Sequence, residues 1–268
     1  MMKISIVTPS LNQGQFIEEA IQSVLVQHYE NFEHIIIDGG STDNTIDILK
    51  KYPHLIWVSE PDTGQSHAIN KGFKMATGEI VAWINSDDIL INGALSIVGS
   101  AFMQSPDLEV FTGSTIHIDE LSQVLFVKSF PPINKFLFNK GVVYCNQQSW
   151  FWKRTLFNSI GFLDENCHTR MDLEFIYRQI IADCKFGGTK KPLGCFRKHE
   201  ESKTGQRDIL FDKERWELAK RYKMLHYGVR AKRPYYTIYQ IYKLIGGYYF
   251  YDWIFNRKYT NKNINTIQ

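Results

Sequence analysis

The sequence predicts an α/β fold, with a Rossmann-like, mostly parallel sheet flanked by helices and a helical extension at the C-terminus. Apolar, β-branched runs alternate four times with segments of helical periodicity within about the first hundred residues, which is the pattern of a parallel sheet with helices on both faces. The chain of 268 residues is 44% hydrophobic and 22% charged, as expected for a globular protein. Its formal charge of +3 is too small to indicate a nucleic-acid partner.

The strands and helices can be assigned in order along the chain. The first strand, at residues 4–7, precedes Thr8, Pro9 and Ser10, and a helix follows in QFIEEAIQSVLVQ. A second strand, HIIIDGG, ends at Asp38 and leads into STDNTIDILKKY, a helical pattern with a polar residue at its start. The next elements are the strand LIWVSE, the helix SHAINKGFKMA, the strand EIVAWI and the helix NGALSIVGSAFM. Beyond residue 105 we expect two strands (EVFTGSTIHI, QVLFVKSF), two helices (RTLFNSIGF, DLEFIYRQIIA) and a late strand (LGCFRKH).

The end of the chain differs in composition, and we predict a main domain of residues 1–205 and a helical extension of residues 206–268. The extension contains RAKRPYYTIYQIYKLIGGYYFYDWIFNRK, in which basic residues bracket a dense run of aromatic residues. One interpretation is an interfacial helix on an anionic membrane surface. The other is a helix that packs on the main domain or on a second copy of the chain. Gly246 and Gly247 would weaken a continuous helix in either case.

The sequence shows no sign of export or of disulfide bonding. Its cysteines, Cys145, Cys167, Cys184 and Cys195, have no C-x-x-C or zinc-like spacing, so we expect free buried thiols in a reducing compartment. The N-terminal apolar run is too short for a signal peptide. No stretch approaches the roughly 20 apolar residues of a membrane span. We therefore expect a cytoplasmic protein.

Polar residues stand where the predicted parallel strands end: Thr8, Asp38, Glu60 and the stretch NSDD at residues 85–88. Ligands of open parallel sheets bind at the carboxyl ends of the strands. These side chains are therefore expected to converge on one side of the sheet.

The adjacent carboxylates Asp87 and Asp88 allow three interpretations from the residues alone. One Asp could cap the following helix while the other is solvated. The two could form an acid/base pair for hydrolysis, although no nucleophile flanks them. They could also bind Mg²⁺ or Mn²⁺ that holds a diphosphate, because these cations prefer oxygen ligands and remove the repulsion between the carboxylates.

Three motifs in order, TPSLNQGQFIEEAIQSVLVQ, IIIDGGSTDNT and GQSHAINKGFKMATGEIVAWINSDD, make the chain resemble family 2 glycosyltransferases of GT-A fold and bacterial surface-polysaccharide type, over roughly residues 3 to 204. The resemblance implies inverting transfer of a sugar from a nucleotide-diphosphate donor, a UDP-sugar, to a hydroxyl of a glycan or lipid-linked acceptor. It implies Mn²⁺ or Mg²⁺ as cofactor. Contact with the cytoplasmic face of the inner membrane and homo-oligomerisation stay open.

The resemblance also implies a nucleotide side built from strand ends and the third helix: Thr8, Pro9, Ser10, Asp38, Glu60, Asn70, Lys71, Asn85 and Ser86. Asp38 would accept a hydrogen bond from the base, and Asn85 would contact the ribose. Asp87, with Asp88 beside it, would bind the metal. Asn85 replaces the family's first carboxylate, and His67 stands where related sequences often carry Asp.

Residues of the second half are implied to act on the metal and the acceptor. In GFLDENCHTRMDLEFIYR, Asp172 matches the catalytic base, although Met171 replaces the usual Glu, and a helix N-cap is the alternative role. His199 of CFRKHEESKT would reach the metal or the diphosphate, with Arg197 and Lys203 as lesser candidates; a structural role for this histidine stays open. The acceptor or sugar side would comprise Gln148, Trp150, Glu174 and Arg178. For Trp150, a stacking surface and an ordinary core position are both open.

Two other functions compete with glycosyl transfer. A sugar nucleotidyltransferase needs a Gly-rich, cationic loop after the first strand, and TPSLNQGQ has neither feature. A non-catalytic nucleotide-binding or scaffold homologue is the second, and the presence of both Asp87 and Asp172 argues against it.

Overall fold

The computed structural model describes residues 1–131, 133, 135–139, 146–200, 209–223 and 229–267. The first half alternates strands and helices as the sequence predicts: β1 (Ile4–Ser10), α1 (Ile17–Leu25), β2 (Phe32–Asp38), α2 (Thr45–Leu49), β3 (Ile56–Ser59), α3 (Gln65–Met75) and β4 (Ile80–Trp83). These four strands pair in parallel in the order β3-β2-β1-β4. The predicted mostly parallel sheet is confirmed in this half.

The second half is more mixed. Its elements are β5 (Ile89–Leu90), α4 (Ala94–Gln104), β6 (Val110–Ile118), β7 (Val124–Lys128), α5 (Lys135–Asn139), β8 (Trp150–Lys153), α6 (Leu156–Ile160), α7 (Met171–Ile181) and β9 (Phe186–Arg197). The sheet continues from β4 through β8, β6 and β9 to β5, and the two predicted strands β6 and β7 pair antiparallel with each other. Strand β8 was not predicted. It runs antiparallel to both β4 and β6 and joins the two halves of the sheet.

Hydrophobic clusters cover both faces of the sheet. One cluster packs α3, α6 and α7 on β1, β2, β4 and β8, and its centre is a stacked pair of indole rings, Trp83 and Trp152, whose centroids are 4.9 Å apart. The other packs α4 on the opposite face. Buried apolar side chains on both faces fix the strands, so the loops at their carboxyl ends start from rigid positions.

The C-terminal elements are α8 (Ile209–Arg221), α9 (Val229–Ile245) and α10 (Tyr248–Tyr259). Leu218 of α8 lies in the same cluster as Phe175 of α7. Phe255 of α10 and Ile264 pack with Val127 of β7. The predicted boundary between residues 205 and 206 therefore does not separate two hydrophobic cores.

Cys167, Cys184 and Cys195 are buried free thiols, whereas Cys145 lies outside the described residues. Burial raises the pKa of Cys167 to about 12 and that of Cys184 to about 11. These thiols are therefore protonated and unreactive at neutral pH. In the described part of the chain, no helix combines the length and apolar character that crossing a membrane requires.

Candidate active site

The loop that follows β4 places Asp87 next to His199, which lies 112 residues later in the chain. Asp87 Oδ2 lies 3.0 Å from His199 Nε2. The Asp87 side chain is 21% exposed and that of His199 is 5% exposed, so the carboxylate faces solvent more than the ring does. The ring of Phe16, before α1, packs on His199 with centroids 4.9 Å apart. Asp87 and His199, two of the three residues that the resemblance places at the metal, are thus neighbours.

Asp88, also predicted at the metal, lies in a more buried environment than Asp87. Its side chain is 1% exposed, and its oxygens accept hydrogen bonds from Arg197 N at 2.9 Å, Gln148 Nε2 at 2.8 Å and Asn85 Nδ2 at 3.0 Å. Burial and the neighbouring Asp87 raise the pKa of Asp88 well above its ordinary value. Since both oxygens accept hydrogen bonds from protein donors, Asp88 anchors the loop. Its assignment to the metal stays a prediction.

Arg197, at the end of β9, is the centre of this loop's support. Its guanidinium group is 1% exposed. It donates to Glu19 Oε2 at 2.5 Å, to Ser122 Oγ at 2.8 Å and to the carbonyl of Asp87 at 2.8 Å. Arg197 was a lesser candidate for the diphosphate, but its donors are directed to the protein. Lys203, the other lesser candidate, lies outside the described residues.

The end of β1 is buried. The Thr8 hydroxyl lies 2.9 Å from His34 Nε2, and burial lowers the pKa of His34 to about 3, so the ring is neutral. Thr8 is therefore engaged inside the sheet, whereas we predicted it around the base. Pro9 is buried as well. The hydroxyl of Ser10 is buried with no hydrogen-bond partner in the described part of the chain, and its assignment to the nucleotide stays a prediction.

Asp38, at the end of β2, organises the turn that follows it. Its carboxylate accepts hydrogen bonds from Gly40 N at 3.1 Å, Ser41 N at 2.9 Å and Ser59 Oγ at 2.6 Å. The side chain is fully buried. Recognition of the base by Asp38 stays a prediction, in addition to this observed role.

Glu60 and Lys71, both predicted on the nucleotide side, form an ion pair with each other. Asn70, one residue earlier on α3, is buried, and its amide clamps the loop after α6. It donates to the carbonyl of Leu163 at 2.9 Å and to Glu165 Oε1 at 2.8 Å, and it accepts from Leu163 N at 2.9 Å. The Asn70 side chain thus binds this loop, and its assignment to the nucleotide side stays a prediction.

Asp172 is the second residue of α7, and its side chain is half-buried. Burial raises the pKa of Asp172, although the Leu173 N–H, 2.7 Å from its Oδ1, and the charge of Arg170 lower it. A carboxylate of raised pKa near a helix start is a suitable general base. The N-cap position of α7 is held by Arg170, and Asp172 lies inside the first turn, so the structure does not give Asp172 the alternative role of N-cap.

The other predicted acceptor-side residues are structural. Glu174 is buried and forms an ion pair with Arg178 at 2.8 Å, and Arg178 also donates to the carbonyl of Phe162 at 2.7 Å. Trp150 is buried beside Trp152 in the core, which agrees with the core alternative. Its contact with a sugar or acceptor stays a prediction.

Gln148 donates to Asp88, as described above, and its assignment to the acceptor or sugar side stays a prediction. Its backbone lies against Gly194 of β9, where an added Cβ would collide with the Gln148 carbonyl. Glycine at this position allows the close approach that brings Gln148 to the loop.

The start of α3 contacts both the loop that contains Asp87 and the start of α7, which contains Asp172. Gln65 Nε2 donates to Asn85 Oδ1 at 2.8 Å, and the Ser66 hydroxyl lies 2.9 Å from Met171 Sδ. Asn85 begins the stretch that contains Asp87, and Met171 directly precedes Asp172. Ser86, like Ser66, is buried. Consecutive residues of one helix therefore hold the loop after β4 and the start of α7 side by side.

A parallel sheet with an acidic loop at the carboxyl end of its fourth strand is the arrangement of a GT-A fold, and solved structures agree. TarS of S. aureus, in complex with UDP-GlcNAc, superposes with a TM-score of 0.65 at 22% identity over 82% of this chain and 66% of that one. A mannosyltransferase of Pyrobaculum calidifontis, in complex with GDP-Man and Mn²⁺, has a TM-score of 0.61 at 15% identity, over 87% of this chain and 68% of that one. The predicted fold class is confirmed.

Residues 5–160 match the model of glycosyl transferase family 2, which is more than half of the chain, and the chain belongs to that family. Among curated relatives, TuaG of Bacillus subtilis, named for teichuronic acid biosynthesis, is 40% identical over 91 residues, which are 32% of this chain and 36% of TuaG. The glycosyltransferase GlyG of Streptococcus pneumoniae is 28% identical over 175 residues, 60% of this chain and 54% of GlyG. The chain thus spans between about a third and just over half of these relatives' length.

Proposed function

We propose that the protein is a metal-dependent, inverting hexosyl- or acetamidohexosyltransferase that moves a sugar from a UDP-sugar to a hydroxyl of a glycan or lipid-linked acceptor in polysaccharide biosynthesis. The observation that carries this proposal is the tie through α3, because Gln65 and Ser66 hold the Asp87 loop beside the start of the helix that bears Asp172. Family membership and the names of its relatives support the reaction class. The choice of UDP rests on Asp38 and the resemblance.

Asp172 would take the proton of the acceptor hydroxyl onto its carboxylate as the acceptor oxygen bonds to the anomeric carbon. The bond from that carbon to the diphosphate breaks on the opposite face, so the configuration inverts. The raised pKa of Asp172 keeps it basic enough to receive the proton. A rigid sheet holds the two sides in the geometry that such a displacement needs.

Asp87 and His199 would hold a divalent cation, with diphosphate oxygens as the remaining ligands. A partly exposed carboxylate beside an imidazole at 3.0 Å fits such an ion, and the nitrogen ligand favours Mn²⁺ over Mg²⁺. No group of three or more His, Cys, Asp or Glu side chains suited to a metal occurs among the described residues. The pair therefore fits an ion that binds together with the donor. When bound, Mn²⁺ would neutralise charge on the departing diphosphate.

Replacing either Asp87 or His199 should weaken metal binding while the protein still folds. We expect Asp87→Asn and His199→Asn each to weaken the Mn²⁺-dependent thermal stabilisation by UDP at least about tenfold in apparent affinity, because an essential ligand is lost. Glu200→Gln, an exposed acid beside His199, is the control and should behave as the wild type. Unchanged Mn²⁺ dependence in both pair variants contradicts the metal assignment.

The reaction itself is tested by a screen of UDP-, GDP- and dTDP-sugars with Mn²⁺, in which transfer and donor hydrolysis are measured. Activity with a UDP-sugar is the expected result. UDP binding without turnover under any condition would favour the scaffold function instead, and synthesis of a sugar nucleotide would favour the nucleotidyltransferase.

We also propose that the protein lies at the cytoplasmic face of the membrane, through the outer face of α9 and α10. This face exposes large apolar side chains: Ile238, Ile241, Leu244, Ile245, Phe250, Trp253 and Ile254. Basic residues surround it in the sequence: Arg230, Lys232, Arg233, Lys243, Arg257, Lys258 and Lys262. The one acidic residue between 229 and 262, Asp252, is paired with Lys243 at 3.0 Å. Such a combination favours an anionic lipid surface.

Vesicle co-sedimentation tests this location. We expect the wild type to sediment with phosphatidylglycerol-containing vesicles, and less at high salt, and the pair Phe250→Glu, Trp253→Glu to remain in the supernatant. Met103→Glu, which changes an exposed apolar residue of α4, should sediment as the wild type does. Equal recovery of all forms in the supernatant rejects the proposal. A wild-type dimer that becomes a monomer in the Phe250, Trp253 variant would assign the face to a second copy instead.

A further inference from the structure

The segment directly before α7 is held by one carboxylate from α8. Glu214 Oε1 accepts a hydrogen bond from His168 N at 2.8 Å. Its Oε2 accepts from Thr169 N at 2.8 Å, from the Thr169 hydroxyl at 2.7 Å and from Arg170 N at 3.0 Å. Burial would raise the pKa of Glu214, but these hydrogen bonds lower it overall, so the group is ionised at neutral pH. Three consecutive backbone N–H groups thus converge on one buried anion.

Two more contacts from the end of α8 reach the same region. Arg221 donates to Asp164 Oδ2 at 2.8 Å, and the Tyr222 hydroxyl donates to Glu174 Oε1 at 2.5 Å. On the other side, α3 holds Leu163 through Asn70. The segment from 163 to 174 is therefore fixed between α3 and α8.

Asp172 has little support from other elements in the described part of the chain, since its carboxylate accepts a hydrogen bond from Leu173 N, its neighbour in α7. Its direction therefore follows the direction in which α7 starts. Arg170, bonded through its N–H to Glu214, is the residue before that helix.

We propose that Glu214 is the positioning residue of Asp172: by binding the N–H groups of residues 168–170 it fixes the start of α7 and hence the carboxylate that receives the acceptor proton. This inference rests on the proposed function. It assigns a part of the active-site support to the region that the sequence sets apart as an extension.

Steady-state kinetics with the full chain test the proposal. Glu214→Gln keeps the side-chain size but turns an amide N–H₂ toward backbone donors. We expect kcat to fall by about 10²-fold, as misplacement of a catalytic group by about 1 Å does, while KM for the donor changes little because Glu214 acts on the acceptor side. Glu217→Gln, an exposed position of the same helix, is the control and should keep the wild-type kcat.

Hydrogen exchange gives a readout that does not depend on activity. The amides of residues 168–170 should exchange faster in Glu214→Gln than in Glu217→Gln, with the β1 and β4 amides unchanged. If Glu214→Gln does not fold, Glu214→Asp, which keeps the charge but has a shorter reach, should fold and show an intermediate kcat. Wild-type kcat per folded molecule, or a loss confined to KM, would overturn the proposal. If the wild type transfers no sugar, the proposed function fails. Unchanged hydrogen exchange of the 168–170 amides in Glu214→Gln would separately overturn the proposal that Glu214 fixes this segment.

Discussion

Replacing Asp172 by Asn is expected to lower kcat by about 10²- to 10⁴-fold, the range that a positioned general base contributes. The amide has nearly the same size and can still accept the Leu173 N–H, so folding should be preserved while the proton acceptor is lost. Asp183→Asn is a matched control, because Asp183 follows the other end of α7 and its side chain is 75% exposed. Turnover in Asp172→Asn within about twofold of the wild type would remove the base assignment.

The pH dependence gives the same assignment a second test. Burial raises the pKa of Asp172, so the carboxylate becomes protonated, and useless as a base, at a higher pH than an ordinary Asp near 3.9. The wild-type kcat should therefore rise with pH through an apparent pKa above that value. The residual activity of Asp172→Asn should lack this acidic limb. A limb that persists in the variant would belong to another group.

The parallel half of the fold was predictable because each of its elements carries a local signal. Strands β1, β2 and β4 contain short runs of apolar, mostly β-branched residues that are followed by polar residues, and the helices between them show helical spacing. Local patterns are sufficient here because both faces of the sheet are buried. The same patterns place Asp38 and Asp87 at the carboxyl ends of strands, where the structure has them.

Strand β8 shows where local patterns fail. Trp150 and Trp152 are both buried in the same hydrophobic cluster, and Trp152 stacks on Trp83. Both are covered because the strand lies in the middle of the sheet. A short aromatic run of this kind can be a strand, a helix segment or an exposed stacking surface, and its sequence does not distinguish them. The pairing of β8 with β4 and β6 shows that this run is a strand.

The site is supported by contacts between residues that are far apart in the sequence. Arg197 and Glu19 are 178 residues apart, and Glu214 meets His168 across 46 residues. No periodicity or motif links such positions. The surroundings of Asp88 were hidden for the same reason, because two of the three donors to its carboxylate come from β9 and from the turn before β8. Sequence reasoning identified the acidic residues and missed what distinguishes their roles.

Replacing Arg197 by Leu is expected to lower the free energy of unfolding by about 3 kcal/mol, the lower end of the cost of removing one partner from a buried ion pair, because the Glu19 side chain is 28% exposed. Leu fills part of the volume, but the Glu19 carboxylate loses its cationic partner, and the carbonyls of Asp119 and Glu120 lose donors. The hydrogen bond from Arg197 N to Asp88 survives the change. Denaturant unfolding measures the effect, and Lys198→Gln, at the exposed neighbouring position, should cost less than about 1 kcal/mol.

Replacing Glu19 together with Arg197 tests whether the two charges are energetically coupled. In Glu19→Leu combined with Arg197→Leu no charge is left unpaired, so the double variant should be less destabilised than the sum of the two single ones, by about 1–3 kcal/mol. Simple additivity would show that Arg197 stabilises the fold through packing on Phe16 and its carbonyl partners alone. Because the Nε–H of Arg197 also bonds the Asp87 carbonyl, the same variants should weaken Mn²⁺-dependent UDP binding. A stable Arg197→Leu protein with intact binding would contradict both effects at once.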